Sequence, residues 1–222
     1  MSTNYGLVPQ WDQPIINQPE IGFLGFIVQR KQNVLHFLLQ AKIEPGNLNV
    51  IQLSPTLQAT RSNYTRVHKG RSPLYLEYFT GEKKVEILVD QLQSEQGARF
   101  YQKRNRNIIV EVDENEELPV YENFVWASLG QIKELLTYPN VVNMDTRTVI
   151  SCIQYGNYSE KDLQLLSVFR LDTNLGHSDS FLYSVLSSDN HYNTMNSIIR
   201  WLTSLKFCLL YTSPSPRDAH ES

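Results

Sequence analysis

The chain has 222 residues, 41% hydrophobic and 19% charged, with a formal net charge of −3 at pH 7. That length gives one domain with its own core, or one domain and part of another, and the charge balance excludes a global basic field for nucleic acid or an anionic membrane. The two cysteines, Cys152 and Cys208, are too far apart for a metal motif and form no disulfide framework, which fits a reduced, cytoplasmic setting.

Residues 1–20 are polar and carry Pro9, Pro14 and Pro19, so they read as extended chain without a signal-peptide pattern. Gly22–Gln29 and Val34–Ile43 flank a polar Arg-Lys-Gln-Asn turn and predict a hairpin. On its second strand Leu35, Phe37, Leu39, Ala41 and Ile43 share one face, with His36, Gln40, Lys42, Val34 and Leu38 on the other. Leu48–Leu53, Leu74–Phe79, Val85–Leu92 and Ile108–Val112 read as further strands. Ser94–Arg106 fits either a short helix broken near Gly97 or an ordered loop. Asp113–Leu118 is an acidic turn. Ser128–Tyr138 predicts a helix, with Ser128 and Gln131 at capping-box spacing and Pro139 as its stop. A second short helix starts near Asp145, with Asn143, Asp145 and Arg147 as capping residues or, alternatively, ligand-binding ones. Ser159–Phe169 fits a helix, Thr173–Asn193 reads as loop, and Asn193–Phe207 is amphipathic. Strands first and helices last predict an α+β fold. The last segment, Cys208–Ser222, resembles a translated sequencing adapter. On that reading Cys208, Asp218 and His220 carry no function.

Common cofactor and hydrolase signatures are missing from the sequence. Gly22 and Gly25 fit neither phosphate-loop spacing, no His/Cys cluster has zinc spacing, and no Gly-x-Ser-x-Gly elbow occurs. Two dense polar stretches stand out instead. Gln52, Ser54, Gln58, Thr60, Arg61, Asn63, Tyr64, Arg66 and His68 form the first. Gln93, Glu95, Gln96, Arg99, Tyr101, Lys103, Arg104 and Arg106 form the second. Each is read as a solvated loop or as a site for an anionic, ring-bearing ligand, because guanidinium groups bind phosphate and aromatic rings stack on bases. The second stretch also fits a local RNA-binding patch.

The segments WDQPIINQPEIGFLGF, VLHFLLQAKIEPGN, QLSPTLQATRSNYTRVHKGR, YLEYF, LVDQLQSEQGARFYQKRNRN and NVVNMDTRTVISC make the chain similar to NDP-hexose 2,3-dehydratases from Trp11 to Cys152. The resemblance implies a Nudix-like mixed sheet flanked by helices, lacking the Nudix metal box, and dehydration of an NDP-4-keto-6-deoxyhexose at C2/C3. The substrate is expected to be dTDP-linked. It implies no cofactor, no metal, no nucleic-acid or membrane partner, and a homodimer in the full-length form. Members carry two such modules in tandem. Residues 1–155 are expected to form one, incomplete at its N-terminus. Residues 156–207 would be the helical linker and start of a second, and 208–222 the adapter. The chemistry needs a base, an acid for the leaving hydroxyl and donors for an enolate oxygen. Glu95, His68 and Glu44 are candidate bases, and Tyr64 is a candidate acid or oxyanion donor. Trp11, Gln52, Gln58, Arg61, Asn63, Arg66, Gln93, Gln96, Arg104 and Arg106 are candidate substrate-binding residues. A non-catalytic nucleotide-sugar binding module is the alternative.

Overall fold

A computed structural model of the chain describes residues 7, 10, 12–65, 72–154, 177–187 and 192–212. Its centre is a mixed seven-stranded sheet of β1 (Ile21–Lys31), β2 (Val34–Ile43), β3 (Ile51–Ser54), β4 (Leu57–Ala59), β5 (Glu86–Ser94), β6 (Arg104–Val112) and β7 (Phe124–Ser128). The main path is β3-β2-β1-β6-β5, with β4 on β1 and β7 on β2. β1 runs parallel to β6 and antiparallel to β2. A single turn, α1 (Arg61–Tyr64), follows β4. Helices α2 (Leu129–Leu135), α3 (Met144–Ser151), α4 (Ser178–Leu186) and α5 (Met195–Thr212) complete the α+β fold that the order of elements predicts.

The β1–β2 hairpin closes through Gln32 and Asn33, at φ 53° and 63°. Two left-handed central residues match the right-handed twist of the flanking strands. β1 and β2 pair from Val28↔Phe37 to Lys31↔Val34 and then part. β3 continues on β2 and β4 on β1, so Pro55 and Thr56 sit in the fork. The Thr56 hydroxyl accepts the Ile27 N–H at 3.0 Å and donates to the Leu38 carbonyl, satisfying two backbone groups where the ladder opens.

Both faces of the central strands are covered, which explains their nearly continuous apolar runs. Leu24, Phe26, Leu35, Phe37 and Ile109 face α2–α5. Ile27, Leu38, Ile108, Val110 and Trp126 face the segment 75–79. That segment is not the strand expected over Leu74–Phe79. It is a 3-10 turn, Leu76–Tyr78, entered through Tyr75 at φ 63°. Tyr75, Leu76, Tyr78 and Phe79 are all buried, and a two-sided strand at this place could not turn four such neighbours into one core. The Phe79 ring lies where a Cβ on Gly25 would stand.

Other differences have local causes. β7 carries no strand signal in the sequence because all five of its residues are buried and show no alternation. The loop expected over Thr173–Asn193 contains α4, whose inward residues are Phe181 and Ser184. Its serine hydroxyl donates to the Leu35 carbonyl at 2.6 Å and accepts the Leu129 N–H at 3.0 Å, a polar anchor invisible to hydrophobic periodicity. Phe181 and Ile198 join the main core, so α4 and α5, within the stretch read as linker, pack on the sheet. The α2 capping box forms as predicted, with Gln131 N–H on Ser128 Oγ and Ser128 N–H on Gln131 Oε1. The Ser159–Phe169 helix lies outside the described residues. Among the described residues no helix is long and apolar enough to cross a membrane.

Candidate functional site

The segment entering α3 lies against β3. Leu53 N–H bonds the Val141 carbonyl, and the Leu53 carbonyl receives Asn143 N–H and Thr146 Oγ1 at 2.9 and 3.1 Å. Asn143 caps α3 through its Oδ1, which accepts Thr146 N–H at 2.8 Å. The capping reading thus holds for Asn143. Arg147 Nε donates back to the Asn143 carbonyl. Docked this way, the first turn of α3 faces the start of β1, the end of β5 and the start of β6.

On the other side an extended arm clamps the β5–β6 connection, residues 95–103. Ile16 N–H bonds the Arg99 carbonyl and Tyr101 N–H bonds the Ile16 carbonyl, while Lys103 Nζ donates to Gln18 Oε1 at 3.0 Å. The loop is therefore ordered, the second of the two forms that the sequence allowed. Two adjoining clefts open between arm, strands and helix. One, of about 270 Å³, is lined by Lys42, Gln58, Asn63 and Lys103 among others. Its neighbour, of about 180 Å³, reaches Gln93, Gln96, Asn107 and Thr148. Leu24, Glu95, Asn105 and Asp145 line both. A third cleft, of about 470 Å³, passes Glu95 toward Phe100, Lys103 and Arg104.

Two carboxyl groups from separate elements thus meet one recess. Glu95 is half-buried; its Oε2 accepts Asn105 Nδ2 at 2.6 Å and its Oε1 accepts the Gln96 N–H at 3.2 Å. Asp145 is pushed up from 3.8 to about 6. Burial is the main cause; the Glu44 carboxylate adds to it, Lys42 opposes it, and Glu95 adds again. Glu44 pairs with Lys42 Nζ at 3.1 Å and accepts Gln58 Nε2 at 2.9 Å. Asn143 Nδ2 reaches Gln58 Oε1 at 3.4 Å, closing a polar chain beside Asp145.

The predicted residues divide accordingly. Glu95, Gln58, Asn63, Gln93 and Gln96 line the paired clefts, and Arg104 lines the third. Glu44 stands behind Asp145 through its charge. Arg61 is exposed at the start of α1, Tyr64 ends that helix, and Gln52 lies on β3 opposite Lys42. Arg106 is forked onto Asp90, at 2.7 and 2.6 Å, and does not line these clefts. Trp11, Arg66 and His68 lie outside the described residues. Sequence reasoning leaves Asp145 between a helix cap and a sugar contact, and gives Lys42, Asn105 and Asn107 no role. The available signal is the i, i+2 run of Lys103, Asn105 and Asn107, which turns polar groups toward one face of β6. Among the described residues no group of His, Cys, Asp and Glu has the arrangement to hold a metal ion.

The family model described as NDP-hexose 2,3-dehydratase matches residues 1–153. Curated relatives named dTDP-4-dehydro-6-deoxy-alpha-D-glucopyranose 2,3-dehydratase agree. The protein of Saccharopolyspora spinosa is 59% identical over 155 residues, covering 70% of this chain and 32% of its own length. That of Amycolatopsis orientalis is 48% identical over 164 residues, covering 72% and 34%. That of Streptomyces violaceoruber is 51% identical over 147 residues, covering 64% and 32%. The chain spans about a third of the length of these relatives. Among solved structures, the C-terminal domain of mouse MUTYH in complex with human PCNA is similar at TM-score 0.37 and 10% identity, over 70% of this chain and 100% of that one. A likeness that slight assigns no fold family.

Proposed function

Since the chain belongs to the NDP-hexose 2,3-dehydratase family, we propose that its paired clefts take an NDP-4-keto-6-deoxyhexose, dTDP-linked as in the relatives' names, and that the full-length protein eliminates water across C2 and C3. The observation that carries this reading is the convergence of Glu95 and Asp145 on one recess, with Asp145 held near 6. A base with that pKa is largely ionised at neutral pH yet still accepts a proton readily.

The C4 ketone acidifies the C3 hydrogen. Asp145 removes it, and the electron pair delocalises as an enolate onto the C4 oxygen, where Lys42 and the Gln58 amide offer positive charge and donors. The enolate then re-forms the C4 carbonyl and a C2–C3 double bond while the C2–O bond breaks. Asp145 returns its proton to the departing hydroxyl, which leaves as water. The resulting 3-enol tautomerises to the 3,4-diketone. Nothing is oxidised or reduced overall, so the chemistry requires no redox cofactor. Glu95 accepts a ring hydroxyl and fixes the sugar over Asp145. Arg61, exposed next to the cleft-lining Thr60, and Arg104, exposed on the third cleft, are the cations for the diphosphate. The same reading takes the chain as one Nudix-like module of a pair, supported by a mixed sheet whose β1–β6 pairing is parallel and whose helices follow the strands.

The test is turnover of dTDP-4-keto-6-deoxyglucose by the full-length protein. Asp145→Asn and Glu95→Gln should each lower kcat by about 10²-fold or more. Unchanged turnover in both variants would make this module a passive pocket.

A further inference from the structure

Asn107 is fully buried on β6, yet its Oδ1 meets no hydrogen-bond donor. Its amide nitrogen faces two backbone carbonyls, those of Asn105 at 3.3 Å and Gln91 at 3.5 Å. These contacts fix the orientation of the group. Swapping nitrogen and oxygen would set Oδ1 against two acceptors with no proton between them. The unpartnered atom is therefore an acceptor. Buried acceptors without donors are rare in folded proteins because each costs a desolvation penalty that no contact offsets. Asn107 lines the smaller of the paired clefts, where Gln93, Glu95, Asn105 and Asp145 also converge.

We infer that Asn107 is a specificity residue whose Oδ1 accepts a hydrogen bond from a ring hydroxyl of the bound sugar. The inference rests on the sugar-nucleotide reading of the cleft. A polar group built to receive a hydroxyl discriminates strongly against ligands lacking it, because the deoxy ligand leaves the acceptor unmet.

Calorimetric binding to the full-length protein tests this with unreactive probes: dTDP, dTDP-glucose, and the 2-deoxy and 3-deoxy analogues of dTDP-glucose. Wild type should lose about tenfold or more in affinity when one of those hydroxyls is removed. Asn107→Leu should bind dTDP as wild type does, bind dTDP-glucose about tenfold more weakly, and no longer distinguish the deoxy analogue. Retained discrimination in Asn107→Leu overturns the inference. So does equal loss of dTDP affinity, which marks a merely structural residue. Should that variant fail to fold, the wild-type series still decides, because affinities within about twofold across the sugar-bearing probes leave no hydroxyl for Asn107 to read. Loss of turnover in the Asp145 and Glu95 variants, beside sugar discrimination that Asn107→Leu leaves unchanged, would sink this inference alone. Failure to bind any of the dTDP probes would sink the sugar-nucleotide reading itself.

Discussion

Replacing Asp145 with Asn removes a charge that the fold holds unfavourably, so the variant should be more stable at neutral pH while losing catalysis. The carboxyl ionises at about 6 in the folded chain, against 3.8 for an unperturbed aspartate. Below the lower value both states are protonated and no cost exists. Between the two values the unfolded chain releases its proton and the folded chain keeps it, so stability falls as pH rises. Above the higher value the loss is complete and constant, at roughly 3 kcal/mol for a shift of this size. Two effects reduce what the amide regains. Asp145 is partly exposed, and it stands in the first turn of α3, where a negative charge gains up to ~1 kcal/mol from the helix dipole. The expected net gain is about 1–2 kcal/mol at pH ~7.5, falling to near zero at pH ~4. Equilibrium urea unfolding of this chain at the two pH values would read it as a midpoint shift of about 0.5–1 M at the higher pH. An equal or lower midpoint at the higher pH, or a gain that persists at the lower, would refute the reasoning.

The pH dependence of kcat/KM in the full-length protein should show an acid limb near 6, with activity rising as Asp145 ionises. Because Glu44 raises that pKa and Lys42 lowers it, Glu44→Gln should move the limb to lower pH and Lys42→Met to higher pH; a limb unmoved by both would detach it from Asp145. Thr56→Val leaves the Ile27 N–H and Leu38 carbonyl unmet in the strand fork and should cost about 2–4 kcal/mol in urea unfolding. Gly25→Ala drives a methyl into the Phe79 ring and should cost about 1–3 kcal/mol, whereas in a Phe79→Ala background the same change should cost almost nothing; a neutral Gly25→Ala would show that the ring moves freely.

Elements that carry their own local signal are legible in the residues alone. The β1–β2 hairpin follows from two apolar runs around a short polar turn. The α2 capping box follows from Ser128 and Gln131 at the right spacing. Family membership follows from long polar segments of unusual composition, and Glu95, Gln58, Asn63, Gln93 and Gln96, which line the paired clefts, stand within them. The remaining features depend on groups that folding brings together from distant positions. Asp145 reads as a cap residue because its neighbours Glu44 and Glu95 lie far away in sequence, and its raised pKa arises only when they and burial act at once. Arg106 reads as a free cation until β5 sets Asp90 diagonally across from it. Asn107 reads as one polar residue in a strand until burial removes water from its amide oxygen. Leu74–Phe79 reads as a strand from its aromatic and apolar residues, but the space above Gly25 takes the Phe79 ring and the segment turns to fill it. Local pattern fixes backbone shape within a few residues; desolvation and charge coupling act through space, and the chain path sets which charges meet.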